Sequence, residues 1–441
     1  MGKRIGKRFH HKPTGSAFHR LRVDETLRDA DQGRKEPSHL VIFHESSDHN
    51  TGVVSEVLSV GAAPENTAMG AGIELLCSPS ESHAHHRMFH KVGVCCAHLA
   101  DHHVEKLKKH DRVRAVVKNE RRPGPTVVHG MGNDAGDPHE DAAHEAAEVA
   151  NARSWCLDEI GLSTGSNAPT GKGVKVAVLD TGLDFDHPDF INRPNIGNEH
   201  HNNVDGETIE DENGHGTHVA GTIAGPIQSN GDRRYGVAPD AELLICKVLD
   251  KHSNGVYDSK IIEAIEWAAQ KGARVISMSL GSPREVGDDY ASAYENIASI
   301  LLEDDGVLIV AASGNFSSRT MFTKPVGNPA ACPSLMAVGG VRKTKTVSTQ
   351  SACTMDSIGI VDIAAPGVKV YSAFAGGGYA QLTGTSQATP HVAGVAALLI
   401  QSDPTLKGTA LWKKLKQSAL TLPGQTAEDV GAGLVQAPPA T

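Results

Sequence analysis

From residue 154 onward, short unbroken apolar runs alternate with segments whose apolar positions recur at helical spacing. The runs "VKVAVLD", "AELLICKVL", "RVISMSL" and "VLIVAAS" lack the in–out alternation of a half-exposed strand, so each predicts a strand covered on both faces. Between them, "DSKIIEAIEWAAQKG" puts Ile261, Ile262, Ile265, Ala268 and Ala269 on one helical face, and Gly272 supplies a stop. This alternation predicts an α/β fold, a doubly wound and mainly parallel sheet with helices on both faces. In such sheets functional groups collect at the carboxyl ends of the strands.

The pattern ahead of residue 154 is different. Residues 1–38 are a basic, polar tail. Residues 39–120 read as a small α+β unit with strands in "HLVIFHE", "KVGVCCAHLA" and "VRAVVKNE". The helix in "DHHVEKLKKHD" starts with Asp101 as N-cap and carries Val104 and Leu107 on one face. Residues 121–153, rich in Pro, Gly and acidic side chains, read as a linker with at most a short helix. The main domain is expected over 154–425, followed by a tail over 426–441.

Composition narrows the function classes. The chain has 441 residues, 39% of them hydrophobic, which is enough for more than one cored unit. A formal net charge of −10 gives no basis for nucleic acid or an anionic membrane as partner. No apolar stretch approaches the roughly 18–20 residues that span a bilayer. The opening "MGKRIGKRFHHKPTGSAFHR" is basic but lacks the apolar middle of a secretory signal. The seven cysteines are odd in number and lack CxxC spacing, which reads as thiols in a reducing compartment. The cytoplasm is therefore the favoured location, with secretion as the alternative. The 24 histidines cluster in places such as "SESHAHHRMFHK", without the ligand spacing of a structural zinc site.

Three polar clusters sit at the ends of the predicted strands or helices. Asp180 closes "VKVAVLD" and is followed by Thr181 and Gly182, a place for a turn aspartate or for a carboxylate that orients an imidazole. His215, between Gly214 and Gly216, opens a small-residue segment, "HGTHVAGTIAG", whose packing suits a base at His215 and a structural His218. Ser386 in "LTGTSQATPHVAG" stands at the mouth of an apolar helix, either as a cap or as a nucleophile favoured by free N–H groups. Asn315, just after "VAASG", supplies an amide that could donate to an oxyanion formed near Ser386. Together these supply nucleophile, base, orienting carboxylate and oxyanion donor for acyl transfer, in the order Asp, His, Ser.

"VAVLDTGLDFDHPDF", "NGHGTHVAGTIAG" and "GTSQATPHVAG", supported by "YGVAPDAELLICKVLD", "ISMSLGS" and "VDIAAPG", resemble the motifs of the subtilisin-like serine proteases, the subtilase family. The resemblance covers residues 154 to about 425. It implies a serine endopeptidase with Asp180, His215 and Ser386 as triad and Asn315 as oxyanion donor. It further implies that Ser279, Leu280 and Gly281 pair with extended polypeptide substrate. Gly314 would line the pocket for the side chain before the scissile bond, where Gly314 and Gly327 suggest room for large apolar groups. Gln387 departs from the family's usual Met. No cofactor is implied for the chemistry. Structural calcium is implied at Asp189 and Asp362, with sodium as the alternative cation.

The unit at 39–120 is similar, more loosely, to the propeptide of that family, mainly through "VGVCCAHLADHHVEKLKKHDRVRAVVKNE". The resemblance implies a ferredoxin-like folding assistant that inhibits its own catalytic domain, in a monomer, until self-cleavage within 118–152. An acid peptidase of the sedolisin type would need Glu at 215 and Asp at 315, and the chain has neither. A catalytically dead binding module would lack a triad member. A metal-dependent hydrolase would have to use the histidine clusters.

Overall fold

The computed structural model describes residues 36–44, 86–89, 93–124, 128–129 and 152–440. The basic segment 1–35 and most of the histidine-rich stretch therefore lie outside the described residues. From Pro37 onward the chain forms one unit.

The N-terminal part is an antiparallel four-stranded sheet of β1 (His39–Phe43), β2 (His86–Phe89), β3 (Val94–Ala97) and β4 (Val113–Lys118), in the order β2-β3-β1-β4. Helix α1 (Asp101–Leu107) connects β3 to β4. The unbroken apolar run in β1 has a simple cause: both faces are covered. Val41 and Phe43 pack with Cys95 and Ala97 under Val104 and Leu107 of α1, whereas Leu40, Ile42, Val94 and Cys96 join a core of the larger domain. Asp101 is not the N-cap. Ala100 holds that position without a side-chain cap bond, and Asp101 is the first helical residue.

Part of the stretch read as linker forms two short strands, β5 (Arg121–Pro123) and β6 (Val128–His129). Their partners lie far along the chain. Antiparallel pairing joins β5 to β10 (Asn254–Tyr257) and β6 to β16 (Gly378–Thr383). Local Pro and Gly content gives no sign of such distant partners, which is why a linker was expected here.

The large sheet has seven strands in the order β14-β13-β12-β11-β7-β9-β8, and every pair in it is parallel. They are β7 (Lys175–Asp180), β8 (Ile196–Asn202), β9 (Glu242–Lys247), β11 (Val275–Met278), β12 (Leu308–Ala312), β13 (Met336–Val341) and β14 (Ile363–Pro366). In β7, Val176 and Val178 enter one core and Ala177 and Leu179 the other, as an apolar run buried on both faces requires. The first core contains α3 (His215–Ala224) and α6 (Thr385–Ser402), and the second contains α4 (Asp258–Gln270) and α5 (Ser292–Ile300). In α4 the buried face comprises Ile261, Ile262, Ala264, Ile265 and Ala268, while Ala269 is only partly buried. The helix ends before Gly272, whose φ is +86°.

Two differences from the sequence reading remain. Strands β8, β13 and β14 and the hairpin β15 (Val370–Phe374) to β16 were not anticipated, because β8, β15 and β16 carry polar residues and β13 and β14 are rich in Ala and Gly. The segment after 425 is not a loose tail: Val430, Leu434 and Val435 are buried, and Leu434 bridges to both Ala364 and Leu420.

Candidate active site

Strand β7 is flanked by β9 on one side and β11 on the other, so the winding direction reverses between β7 and β11. That reversal opens a crevice at the carboxyl ends of the strands. Asp180 ends β7 and Ser279 follows β11, with Leu179 and Met278 paired just below them. Asn315 follows β12. His215 and Ser386 open α3 and α6, which pack against each other on the same face of the sheet.

Asp180 and His215 are joined directly. His215 Nδ1 lies 2.7 Å from Asp180 Oδ1, and each residue is 1% exposed. The same Oδ1 accepts the Thr181 N–H at 2.8 Å. His215 Nε2 is buried with no hydrogen-bond partner. Burial pulls the imidazole pKa down, but the Asp180 carboxylate more than offsets this and leaves it above the usual value. His218, one turn on, behaves oppositely. Its Nε2–H donates to the Val370 and Ala380 carbonyls, and burial lowers its pKa to about 3. It holds α3 against the β15–β16 hairpin, the structural part expected for it.

Ser386 Oγ donates to the Ser279 carbonyl at 3.4 Å, a long bond, and is not hydrogen-bonded to His215 Nε2. Ser279 Oγ donates in return to the Ser386 carbonyl at 2.7 Å. Ser386 lies in the first turn of α6, where a backbone N–H has no intrahelical acceptor. Asn315 is oriented by its oxygen: Oδ1 accepts Thr385 N–H at 2.7 Å and Thr385 Oγ1 at 2.9 Å. Its Nδ2 is thereby left as the donating end. Leu280, Gly281, Gly314, Asn315, Gly327 and Ser386 line a common pocket of about 280 Å³.

A further group was missed by the sequence reading. Asp211, 6% exposed, accepts Thr181 Oγ1, Asn213 N–H and Gly214 N–H on Oδ1, and Thr217 N–H and Oγ1 on Oδ2. Thr181 Oγ1 in turn accepts the Gly216 N–H at 2.8 Å. One carboxylate thus ties the turn after Asp180 to the first turn carrying His215. Gly216 is required for this approach, because a Cβ there would overlap the Gly182 carbonyl oxygen. The available signal was the acidic residue four positions ahead of the histidine in "DENGHG".

The two candidate cation ligands are already satisfied. Asp189 Oδ1 accepts Asn230 N–H and Nδ2, and Oδ2 accepts Ser229 Oγ, Tyr235 OH and Tyr379 OH, at 2.7–3.0 Å. Asp362 pairs with Lys416 Nζ at 2.9 Å and accepts the Ala337 N–H. Calcium needs six to eight oxygen lone pairs turned toward it, and these carboxylates turn theirs toward N–H and O–H donors. Neither residue fits a calcium site in this arrangement. Among the described residues, no group of three or more His, Cys, Asp and Glu side chains is placed to hold a metal ion.

The parallel α/β sheet and the family match together define a serine peptidase of the doubly wound class. The chain belongs to the subtilase family, which matches residues 171–433, and it is a subtilisin-like serine endopeptidase whose family chemistry needs no cofactor. It is 42% identical to an intracellular serine protease of Paenibacillus polymyxa over 237 residues, 53% of this chain and 69% of the relative. It is 41% identical to an alkaline protease of Alkalihalobacillus alcalophilus over 310 residues, 69% of this chain and 75% of the relative. Subtilisin BL of Lederbergia lenta is 42% identical over 294 residues, 66% of this chain and all of the relative.

Proposed function

We propose that the protein hydrolyses polypeptides through Ser386, His215 and Asp180, and that it is made as a self-inhibited, self-processed precursor. The observation that carries the catalytic reading is the buried His215 ring, held at Nδ1 by Asp180 with Nε2 left without a partner. Nε2 takes the Ser386 proton as Oγ leaves the Ser279 carbonyl and bonds to the scissile carbonyl carbon. The Asn315 amide and the Ser386 N–H receive the developing oxyanion. When the intermediate collapses, the C–N bond breaks and Nε2 returns the proton to the leaving amine. Water, deprotonated by the same nitrogen, then releases the acyl group. Ser279, Leu280 and Gly281 offer backbone to an extended substrate, and Gly314 admits the side chain before the scissile bond.

The inhibitor reading of residues 39–120 is supported by β5 and β6. The first adds to β10, and the second adds to β16, which leads directly into Ser386. These pairings favour a cut within 118–152, on the C-terminal side of Gly124. A cytoplasmic site of action fits the six free cysteines among the described residues, five of them buried.

A fluorophosphonate probe tests the reading. Labelling of the wild-type chain that is lost in Ser386→Ala, together with loss of peptide hydrolysis, is the expected result. Undiminished hydrolysis by Ser386→Ala would remove the assignment.

A further inference from the structure

Asp258 opens α4 and is 2% exposed, in a place where a carboxylate has little water to solvate it. Its cation comes from the N-terminal part of the chain. Arg122 Nε and Nη2 donate to Asp258 Oδ1 and Oδ2 at 2.7 and 2.9 Å, a two-pronged ion pair. Arg122 Nη1 donates to Ser282 Oγ at 3.2 Å. Tyr294 OH donates to Asp258 Oδ1 at 2.7 Å, and its ring centroid lies 5.7 Å from the guanidinium carbon.

The location gives this receptor its meaning. Arg122 lies on β5, which adds to the edge of β10 as an extended peptide would: Tyr257 pairs with Arg121 and Asn254 with Pro123. A Cβ on Gly255 would overlap the Arg122 carbonyl, so glycine there is what admits the added strand. Ser282 also lies on the rim of the pocket that holds Asn315 and Ser386. Once β5 leaves, Asp258 keeps the Tyr294 hydroxyl but loses its cation, which frees the carboxylate to take a substrate cation in its place. A planar guanidinium satisfies both oxygens at once, which an ammonium does not.

We infer that Asp258, Tyr294 and Ser282 form a guanidinium-selective subsite of the substrate cleft, recognising an arginine upstream of the scissile bond, with Arg122 as its internal occupant in the precursor. The inference rests on the proposed inhibitor and endopeptidase reading and names the substrate class that reading leaves open.

The test uses the full chain after its own processing and a fluorogenic peptide set. Arg, Lys or Leu is placed in turn at each of the six positions upstream of the cleaved bond. Arg is expected to exceed Leu in kcat/KM by about tenfold or more at one position, with Lys between them. Asp258→Asn should bring that ratio close to one while Leu peptides are still cut. Equal rates for Arg and Leu at all positions, or an Arg preference that survives Asp258→Asn, would overturn the inference. If Asp258→Asn does not fold, Ser282→Ala and Tyr294→Phe carry the test, and an unchanged ratio in both has the same consequence. Binding of labelled Arg and Leu peptides to the processed chain, blocked at Ser386 by the fluorophosphonate and read by fluorescence anisotropy, separates the subsite from the chemistry. Tighter Arg binding supports it and equal binding overturns it, whatever happens to hydrolysis.

Discussion

Asp180 Oδ1 sits 2.7 Å from His215 Nδ1, yet the two residues are 35 apart in the chain and belong to different elements. Strand β7 delivers the carboxylate, α3 delivers the ring, and Asp211 fixes the angle between them. The raised pKa of His215 follows from this pair, with Asp180 outweighing the burial that would lower it. A base works only when neutral, so kcat/KM should rise with pH through a value above about 6.5, the ordinary histidine figure. For stability the sign is opposite. The charged pair contributes fully below about 6.5 and loses its contribution as pH rises through the higher folded value. Asp180→Asn should lower the kinetic pKa and kcat by about 10⁴, read from pH–rate profiles.

Ser386→Ala should lower kcat by about 10⁶, the loss measured for subtilisin itself, with the fold intact. Mass spectrometry of the recovered protein gives a second readout: the variant chain should remain uncut. Processed Ser386→Ala protein, in the absence of any other protease, would contradict self-cleavage.

Asn315→Ala removes the amide donor and the acceptor that holds Thr385. The expected fall in kcat is about 10²–10³, the range known for this kind of donor in subtilisin, with KM little changed. A loss confined to KM would place the amide in ground-state binding instead.

Asp211→Ala would strand five donors, two of them on Thr217 in the buried first turn of α3 and the others on Thr181, Asn213 and Gly214. Unsatisfied buried donors cost about 1–3 kcal/mol each before relaxation, so a loss of about 3 kcal/mol or more is expected in urea unfolding. Activity should fall as well, because His215 loses its positioning. A stable variant with normal kcat would show that the rest of the turn holds the ring unaided.

Asp189 is saturated by hydroxyl and amide donors, so adding a chelator should leave the thermal midpoint unchanged. Asp189→Asn and Tyr235→Phe should each destabilise by about 1–3 kcal/mol, equally with calcium and with chelator. A drop in midpoint on chelation that Asp189→Asn abolishes would restore a cation at this residue.

The seven strands of the large sheet were unequally legible. β7, β9, β11 and β12 announced themselves as unbroken apolar runs, since a strand covered on both faces has no polar phase. The triad candidates and Asn315 stood out because each ends or opens such an element in a glycine-rich setting. Strands β5 and β6 gave no local sign: two or three residues carry no periodicity, and their stability comes from β10 and β16. The same is true of Arg122, an ordinary basic residue until Asp258 is placed opposite it, 136 positions away.

The chain's own order of residues determined the parallel α/β class, the candidates for the reactive groups and the ends of the elements that bear them, because these depend on neighbours within a few turns or strand lengths. Tertiary structure alone decided which oxygen the Ser386 hydroxyl meets at rest, that Asp189 and Asp362 spend their lone pairs on protein donors, and that an arginine fills the Asp258 pocket. Those outcomes hang on contacts between distant segments, and hydrogen-bond partners, charge pairing and desolvation are set only when folding brings such segments within a few ångströms.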